Sequence, residues 1–176
     1  IAKQWKRGTP LARAATVFEG RHEDIGIWPR VMDSGEETLP MIDQSLTFFT
    51  GAYHLIGDEG KLRRLPLPES VDLAGFYSGR ILFTLRDAWE VAGRTFSQGS
   101  LLAISAAASQ VTGELPGVET VYVPDDRTSI SGVTVSRSGL YVILLQNVKG
   151  RILRFRVEPD TGKWSSELLP LPAMLF

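Results

Sequence analysis

The sequence of 176 residues lacks cysteine and has only two histidines, His22 and His54. It can therefore form no disulfide, no zinc–thiolate site and no cysteine nucleophile, although the lack of cysteine does not specify a compartment. The two histidines lie too far apart for the His-Glu-x-x-His spacing of a helical zinc site. We expect both to have structural or solvated roles, and we predict no metal and no cofactor.

The sequence also lacks an excess of either charge and any long apolar run. It contains 19 Lys and Arg against 20 Asp and Glu, a net charge of −1, so nucleic acid and anionic membranes are not expected partners. Its longest apolar runs, such as residues 140–145, are strand-sized and far short of the roughly 18 residues of a membrane span. With 43% hydrophobic residues, the composition is that of a soluble globular protein. We expect a cytoplasmic location and keep the periplasm open.

Neither end of the sequence has the features of a natural terminus. The chain starts at Ile1 without an apolar signal segment, and it stops at Phe176 directly after an apolar run. We therefore expect it to be a piece of a larger protein.

Seventeen glycines and ten prolines separate short runs of β-branched, aromatic and leucine residues, which is the pattern of strands and turns. The last third shows it best, because four apolar or alternating runs follow one another with a turn signal between each pair. These runs cover residues 130–136, 140–145, 151–157 and 163–169. They predict a four-stranded antiparallel meander.

Similar segments recur at residues 22–27, 70–76 and 128–133, and each opens a strand-rich block. In the first block the strand candidates are residues 46–49, 52–56 and 61–68. A four-stranded unit at a period near 50 residues is typical of a β-propeller blade, although a β-sandwich remains possible. We therefore predict an all-β fold of about three four-stranded antiparallel blades. The predicted division is 1–19 for the end of a preceding blade, then 20–69, 70–127 and 128–172.

Two segments are predicted to form short helices. Residues 9–15 have a cap residue followed by proline, and residues 104–111 are rich in alanine before Gly113. We interpret both as insertions that connect blades.

Several passages resemble the bacterial prolyl oligopeptidase-like serine peptidases, and the similarity runs over nearly the whole chain. The passages are residues 5–11, 15–20, 85–89, 99–103, and Pro124 with 128–132. The resemblance implies a parent protein in which an α/β-hydrolase domain with a Ser-Asp-His triad pairs with a seven-bladed propeller. That propeller limits entry to short peptides, which are cleaved after proline or, in relatives, after other residues.

On this resemblance the chain corresponds to about three consecutive blades, and its partners are the catalytic domain of the same parent chain and short peptide substrates. No propeller residue that contacts substrate can be carried over to a position here. We expect the fragment itself to be non-catalytic.

The residues agree with a non-catalytic role. A hydrolase would need a Gly-x-Ser-x-Gly elbow between a strand and a helix, and the sequence has none. The nearest string, residues 75–79, places Ser78 at the wrong position, and Ser100 lacks the second glycine. We therefore assign no catalytic, cofactor-binding or metal-binding residue.

The remaining charged and aromatic groups predict structural roles. Asp58-Glu59 and Asp125-Asp126 lie in turns, and residues 57–60 lack the spacing of a phosphate-binding loop. Basic residues are spread along strands: Lys61, Arg63, Arg64, Arg151, Arg154 and Arg156. Alternation puts Arg154 and Arg156 on one face, towards solvent or, alternatively, the propeller tunnel. We expect Trp28, Trp89 and Trp164 to pack between blades.

A different class of function stays open, namely a non-catalytic propeller or sandwich that binds protein through its loops. Neighbouring sequence with a nucleophile elbow would favour the peptidase. Three blades would leave open sheet faces, so partner blades or oligomerisation of the fragment are expected to cover them.

Overall fold

The computed structural model describes residues 1–57, 60–111, 115, 117–170 and 174–175. Its main body is three antiparallel sheets that follow one another along the chain. The first sheet has the strand order β3-β4-β5-β6, in which strands are numbered along the chain. These strands are β3 Gly26–Asp33, β4 Thr38–Ser45, β5 Gly51–Ile56 and β6 Leu62–Arg64.

The second sheet has the order β7-β8-β11-β12. Its strands are β7 Val71–Tyr77, β8 Arg80–Leu85, β11 Leu101–Ser105 and β12 Glu119–Tyr122. The third sheet has the order β13-β14-β15-β16, and β17 also pairs with β15. These strands are β13 Thr128–Ser136, β14 Gly139–Gln146, β15 Lys149–Val157, β16 Trp164–Leu168 and β17 Met174–Leu175.

Smaller elements surround the three sheets. Two hairpins form two-stranded sheets of their own, and two short helices among the described residues lie between strands. The hairpins pair β1 Ala2–Gln4 with β2 Ala15–Phe18 and β9 Trp89–Val91 with β10 Arg94–Phe96. The helices are a 3-10 turn at Leu11–Arg13 and α1 at Ala106–Val111. No helix among the described residues is long and apolar enough to cross a membrane.

The predicted all-β fold with three four-stranded antiparallel units is confirmed. The strands of the three sheets lie inside the ranges 20–69, 70–127 and 128–172, except for the short fifth strand β17 of the third sheet, which lies after residue 172. The assignment of the three sheets as blades of one propeller stays a prediction. The two helices exist, but their interpretation as blade connectors is wrong. The 3-10 turn joins β1 to β2, and α1 joins β11 to β12, so each lies between strands of one sheet.

The prediction of a strand at residues 46–49 is also wrong, because this segment is the turn between β4 and β5. The Thr47 hydroxyl accepts the backbone N–H groups of Phe49 and Thr50, at 3.1 and 3.0 Å, which closes the turn. Phe48 and Phe49 are therefore exposed. The Thr47 side chain thus stabilises a turn in a segment whose apolar residues alone predicted a strand.

Two apolar layers join the sheets, one on each face of the second sheet. Leu82 and Phe83 are neighbours on β8, and because side chains alternate along a strand they point to opposite faces. Phe83 belongs to the layer shared with Met41 and Leu55 of the first sheet. Leu82 belongs to the layer shared with Leu140 of the third sheet. The second sheet is thus packed on both faces.

The recurring glycines of the sequence mark equivalent irregularities in β7 and β13. The pairing of β7 with β8 shifts between Leu73 and Gly75, and that of β13 with β14 shifts between Ile130 and Gly132. A Cβ atom on Gly75 would lie 2.7 Å from a methyl carbon of Val135, so the bulge brings the third sheet onto the second. For these two of the three recurring segments, the repeat in sequence is a repeat in backbone geometry, whereas the pairing of β3 with β4 is regular from Gly26 onward.

Candidate functional site

The first strand of each sheet lies at the edge of that sheet, and the three first strands lie side by side. Strand β7 contacts β3 on one side and β13 on the other. The free long sides of β3, β7 and β13 form what we call the inner edge surface. Edge strands carry backbone groups without a neighbouring strand, so this surface can offer free backbone N–H and carbonyl groups to a ligand.

A groove of about 810 Å³ lies on the inner edge surface between β7 and β13. One wall consists of Asp72, Leu73 and Ala74 of β7, and the other consists of residues 128–133 of β13. Gln98, Asp125 and Asp126 are also part of its lining. The volume lies within the range of ordinary ligand sites.

The lining of this groove is acidic. Asp125 accepts the Arg127 backbone N–H at 2.9 Å, and the Thr128 hydroxyl and this N–H lower the pKa of the carboxyl group. Asp125 is therefore ionised at neutral pH and has the turn role that its position predicted. Asp72 is neutralised by Arg86, whose Nε and Nη2 atoms lie 2.7 and 2.6 Å from its two carboxylate oxygens. Asp125 and Asp126, by contrast, form no ion pair among the described residues, and the only basic side chain that acts on Asp125 is that of the adjacent Arg127.

The free side of β7 is partly capped by a side chain from the first sheet. The Tyr53 hydroxyl donates to the carbonyl oxygen of Val71 at 2.8 Å. Burial raises the pKa of Tyr53, as do the charges of Asp43 and Asp72. The phenol therefore stays protonated and keeps this hydrogen bond across the physiological range.

A second polar group lies between the first two sheets, beside Tyr53. Arg30 Nε lies 3.0 Å from Asp43 Oδ2. Burial raises the pKa of Asp43, while the Arg30 guanidinium opposes that shift. The pair is consistent with a structural contact inside the sheet interface, since Arg30 neutralises the carboxylate that burial would otherwise penalise.

His54 belongs to a chain of hydrogen bonds that fastens the segment before β3 to the first sheet. Its Nε2 atom lies 3.0 Å from Gln44 Oε1, and Gln44 Nε2 donates to Asp24 Oδ2 at 2.7 Å. The Phe18 ring packs on the imidazole with centroids 4.7 Å apart. Burial lowers the pKa of His54, with the positive charge of Arg64 adding to the effect. His22 is exposed, in the turn that Asp24 closes by accepting the Arg21 N–H at 2.7 Å.

Lowering the pH is expected to destabilise the chain through His54. Because the pKa of His54 in the folded state lies below the usual range of histidine, the unfolded chain binds the proton more readily. The free energy of unfolding should therefore fall as the pH decreases from about 7.5 to about 5.5. Urea unfolding across this range measures the slope. His54→Gln should flatten it, and the control His22→Gln should keep it; equal slopes in both variants would contradict the assignment.

Ser78 and Ser100 do not have the setting of a nucleophile between a strand and a helix. Ser78 occupies the tight turn between β7 and β8 with a φ of 49°, and a strand follows it instead of a helix. Ser100 is fully buried before β11. The described part of the chain contains no cluster of His, Asp and Glu that could hold a metal ion. Asp58 and Glu59 lie outside the described residues.

The predicted arginine pair lies on β15, the third strand from the inner edge surface. Arg154 forms an ion pair with Glu167, and Arg156 Nε donates to the Ser138 carbonyl at 3.2 Å. This position favours the solvent-facing interpretation over the tunnel.

The three tryptophans differ from one another. Trp28 is 60% exposed on edge strand β3, so its predicted packing between sheets is wrong, since none of the sheets that the structure describes covers its ring. Trp89 packs on the rings of Phe83 and Phe96. Trp164 of the third sheet donates its Nε1–H to Glu119 of the second at 2.8 Å. The predicted packing between sheets is confirmed most directly for Trp164.

Sequence reasoning missed the network around Glu119. Arg80 Nε lies 3.0 and 2.8 Å from the two Glu119 carboxylate oxygens, and Arg80 Nη2 donates to the Gly162 carbonyl at 3.0 Å. The guanidinium also lies 5.7 Å from the centre of the Trp164 ring. Glu119 and Trp164 are 45 residues apart, so no local sequence pattern predicts their contact.

Comparison with known proteins relates this architecture to peptidases. The uncharacterized peptidase y4nA of Sinorhizobium fredii is 27% identical over 184 residues, which cover 98% of this chain and 24% of that protein. A post-proline cleaving enzyme of Rickettsia typhi has the same fold, with a TM-score of 0.85 and 20% identity over 97% of this chain and 25% of that one. No family model matches the sequence. The chain spans about a quarter of each relative's length, and its resemblance to prolyl oligopeptidase-like peptidases is confirmed.

Proposed function

We propose, from the resemblance to prolyl oligopeptidase-like serine peptidases, that this chain is the substrate-gating propeller portion of such an enzyme. The enzyme would hydrolyse short peptides, and this portion would be non-catalytic. The observation that carries the proposal is the match to a peptidase over nearly all of this chain but about a quarter of the relative. The remaining length of such a protein would supply an α/β-hydrolase domain with the triad.

The order of the sheets supports this proposal. In a propeller each blade packs on the next around a central channel, and the first strands of the blades lie nearest the channel. Here the sheets pack in chain order, and the first strands β3, β7 and β13 lie together. Ranges 20–69, 70–127 and 128–172 would then be successive blades, and residues 1–19 would end a preceding one.

The outer face of the third sheet supports a further blade. Along β14, the residues that face the second sheet are buried, whereas Tyr141, Ile143 and Leu145 on the other face are only half-buried. An apolar face of this kind needs a covering partner. We propose that the next blade of the parent protein covers it, and that the isolated chain forms oligomers through it. A cytoplasmic location is part of the proposal, without nucleic acid or membrane partners.

The isolated 176-residue chain should not cleave a proline-containing chromogenic peptide, because the nucleophile and base would lie elsewhere in the parent. The longer protein should cleave it and should lose activity on treatment with a serine-reactive inhibitor. Turnover by the isolated chain that the inhibitor abolishes would contradict the non-catalytic role. A longer protein that folds but shows no inhibitor-sensitive turnover would contradict the peptidase role.

The second candidate is a non-catalytic interaction module. The exposed aromatic turn at Phe48 and Phe49 favours it, since apolar side chains at a loop tip are typical of protein contacts. An inactive longer protein without a Gly-x-Ser-x-Gly elbow would support this candidate.

A further inference from the structure

The two strands that border the groove, β7 and β13, differ in which of their backbone groups are free. On the β7 side, the Val71 carbonyl already accepts the Tyr53 hydroxyl. On the β13 side, the pairing pattern shows which backbone groups point into the groove. Asn147 N–H donates to the Arg127 carbonyl at 3.2 Å, which makes residues 127 and 147 a hydrogen-bonded pair. Because such pairs alternate along an antiparallel ladder, Thr128 and Ile130 direct their backbone groups away from β14 and towards the groove.

Most of these backbone groups of β13 are free to form further hydrogen bonds. The Thr128 N–H is used within its own turn, by the Asp125 carbonyl at 3.1 Å. Among the described residues β13 pairs only with β14, so the Thr128 carbonyl and the N–H and carbonyl of Ile130, which point away from β14, have no strand partner. Residues 128–133 all line the groove. A free strand edge beside an open groove is the arrangement that accepts an extended peptide as an added strand.

We propose that β13 binds an extended peptide segment in this groove by backbone pairing at Thr128 and Ile130. The proposal deepens the proposed function, since it rests on short peptides being the substrates of the parent enzyme. The bulge between Ile130 and Gly132 ends regular pairing at that point, so the added strand is short. A short pairing segment suits a site that must release its ligand.

Charge sets the orientation and class of the peptide. Asp125 and Asp126 lie at the start of β13, and the groove lining contains no lysine or arginine. A segment with basic side chains at the end beside these carboxylates is favoured, and an acidic one is repelled. The ligand is therefore an extended peptide with lysine or arginine near one end.

The lack of cysteine makes a direct test possible, because a single introduced thiol is the only one in the chain. The variant Ser131→Cys places it in the groove, and Ser129→Cys places it one step nearer Asp125. The matched control is Ser166→Cys, an exposed serine on β16, which is the edge strand at the other side of the same sheet. Circular dichroism of each variant checks that it folds.

Each variant is equilibrated in a glutathione buffer with acetylated peptides that carry two lysines followed by threonines, with one cysteine moved along the threonine positions. Mass spectrometry of the intact protein gives the disulfide-linked fraction. Since side chains of a paired strand alternate between faces, linkage to the groove thiols should alternate with cysteine position by at least about fivefold. Linkage to Ser166→Cys should be lower and should not alternate.

Peptides with glutamate in place of lysine should lose the alternation, because the carboxylates no longer fix the register. Linkage that is equal in the groove and control variants, or that shows no alternation in either groove variant, would overturn the proposal. The test requires no catalysis. Failure here with an active parent enzyme would reject the β13 site alone, whereas an inactive parent would reject the proposed function.

Discussion

Replacing Phe83 with alanine is expected to lower the free energy of unfolding by about 3 to 5 kcal/mol, as for other fully buried aromatic residues. Phe83 has no exposed surface and lies in the apolar layer between the first and second sheets. It also packs edge to face on Trp89, with ring centroids 6.2 Å apart. The substitution would remove the ring and leave a cavity that Met41 and Leu55 of the facing sheet cannot fill without moving.

The measurement is urea unfolding of the 176-residue chain, monitored by tryptophan fluorescence at several protein concentrations. Concentration matters because we propose that the isolated chain associates through the outer face of the third sheet, and association would stabilise the folded state. Phe48→Ala is the matched control, because Phe48 is 84% exposed and its loss should change stability by less than about 0.5 kcal/mol. Similar costs for the two variants would contradict the packing of the first two sheets described here.

Strand β8 is central to the fold because each of its faces serves a different interface. Phe83 connects the second sheet to the first, and Leu82 connects it to the third. Four of the five residues 81–85 of this strand are apolar, as is typical of a strand covered on both faces. The same reasoning predicted β14 correctly as a strand, but its second face is only half-buried, because the described residues provide no sheet to cover it.

The fold could be predicted from the sequence where the signals are local. Strands and turns of the third sheet follow from alternation and from glycine at turns, and the recurring glycines revealed the repeat. The first sheet was harder, because β3 and β4 contain two prolines, Pro29 and Pro40, and polar residues that weaken the strand pattern. The turn at residues 46–50 was missed for the opposite reason, since its apolar side chains suggested a strand.

The candidate site could not be predicted, because it depends on contacts between sheets. Tyr53 reaches Val71 across 18 residues, and the groove joins β7 to a strand more than 50 residues later. Local periodicity shows that a strand exists and which face is apolar, but it does not show which edge is capped. The uncapped edge of β13 emerges only once the register of every pair is known.

The second large effect is expected at Glu119, where substitution with glutamine should cost about 2 kcal/mol, because a partly buried guanidinium loses its charged partner. Glu119 accepts from both Arg80 and Trp164 and so connects the second and third sheets. The amide keeps the size of the side chain, but it offers one acceptor oxygen instead of two. Arg80 is only 19% exposed, so water compensates poorly.

Glu69→Gln provides the control for Glu119→Gln in the same urea experiment. Glu69 pairs with Arg64 at 2.7 Å, but both side chains are about half exposed, at 49% and 54%. Exposed pairs typically contribute less than about 1 kcal/mol, so this variant should stay close to the parent chain. A cost at Glu119 no larger than that at Glu69 would mean that the Glu119 contacts add little to the apolar layer that joins the second and third sheets. A larger cost would mean that the polar contact between Glu119 and Trp164, which are 45 residues apart in sequence, fixes how the third sheet packs on the second. That contact would then also shape the groove between β7 and β13.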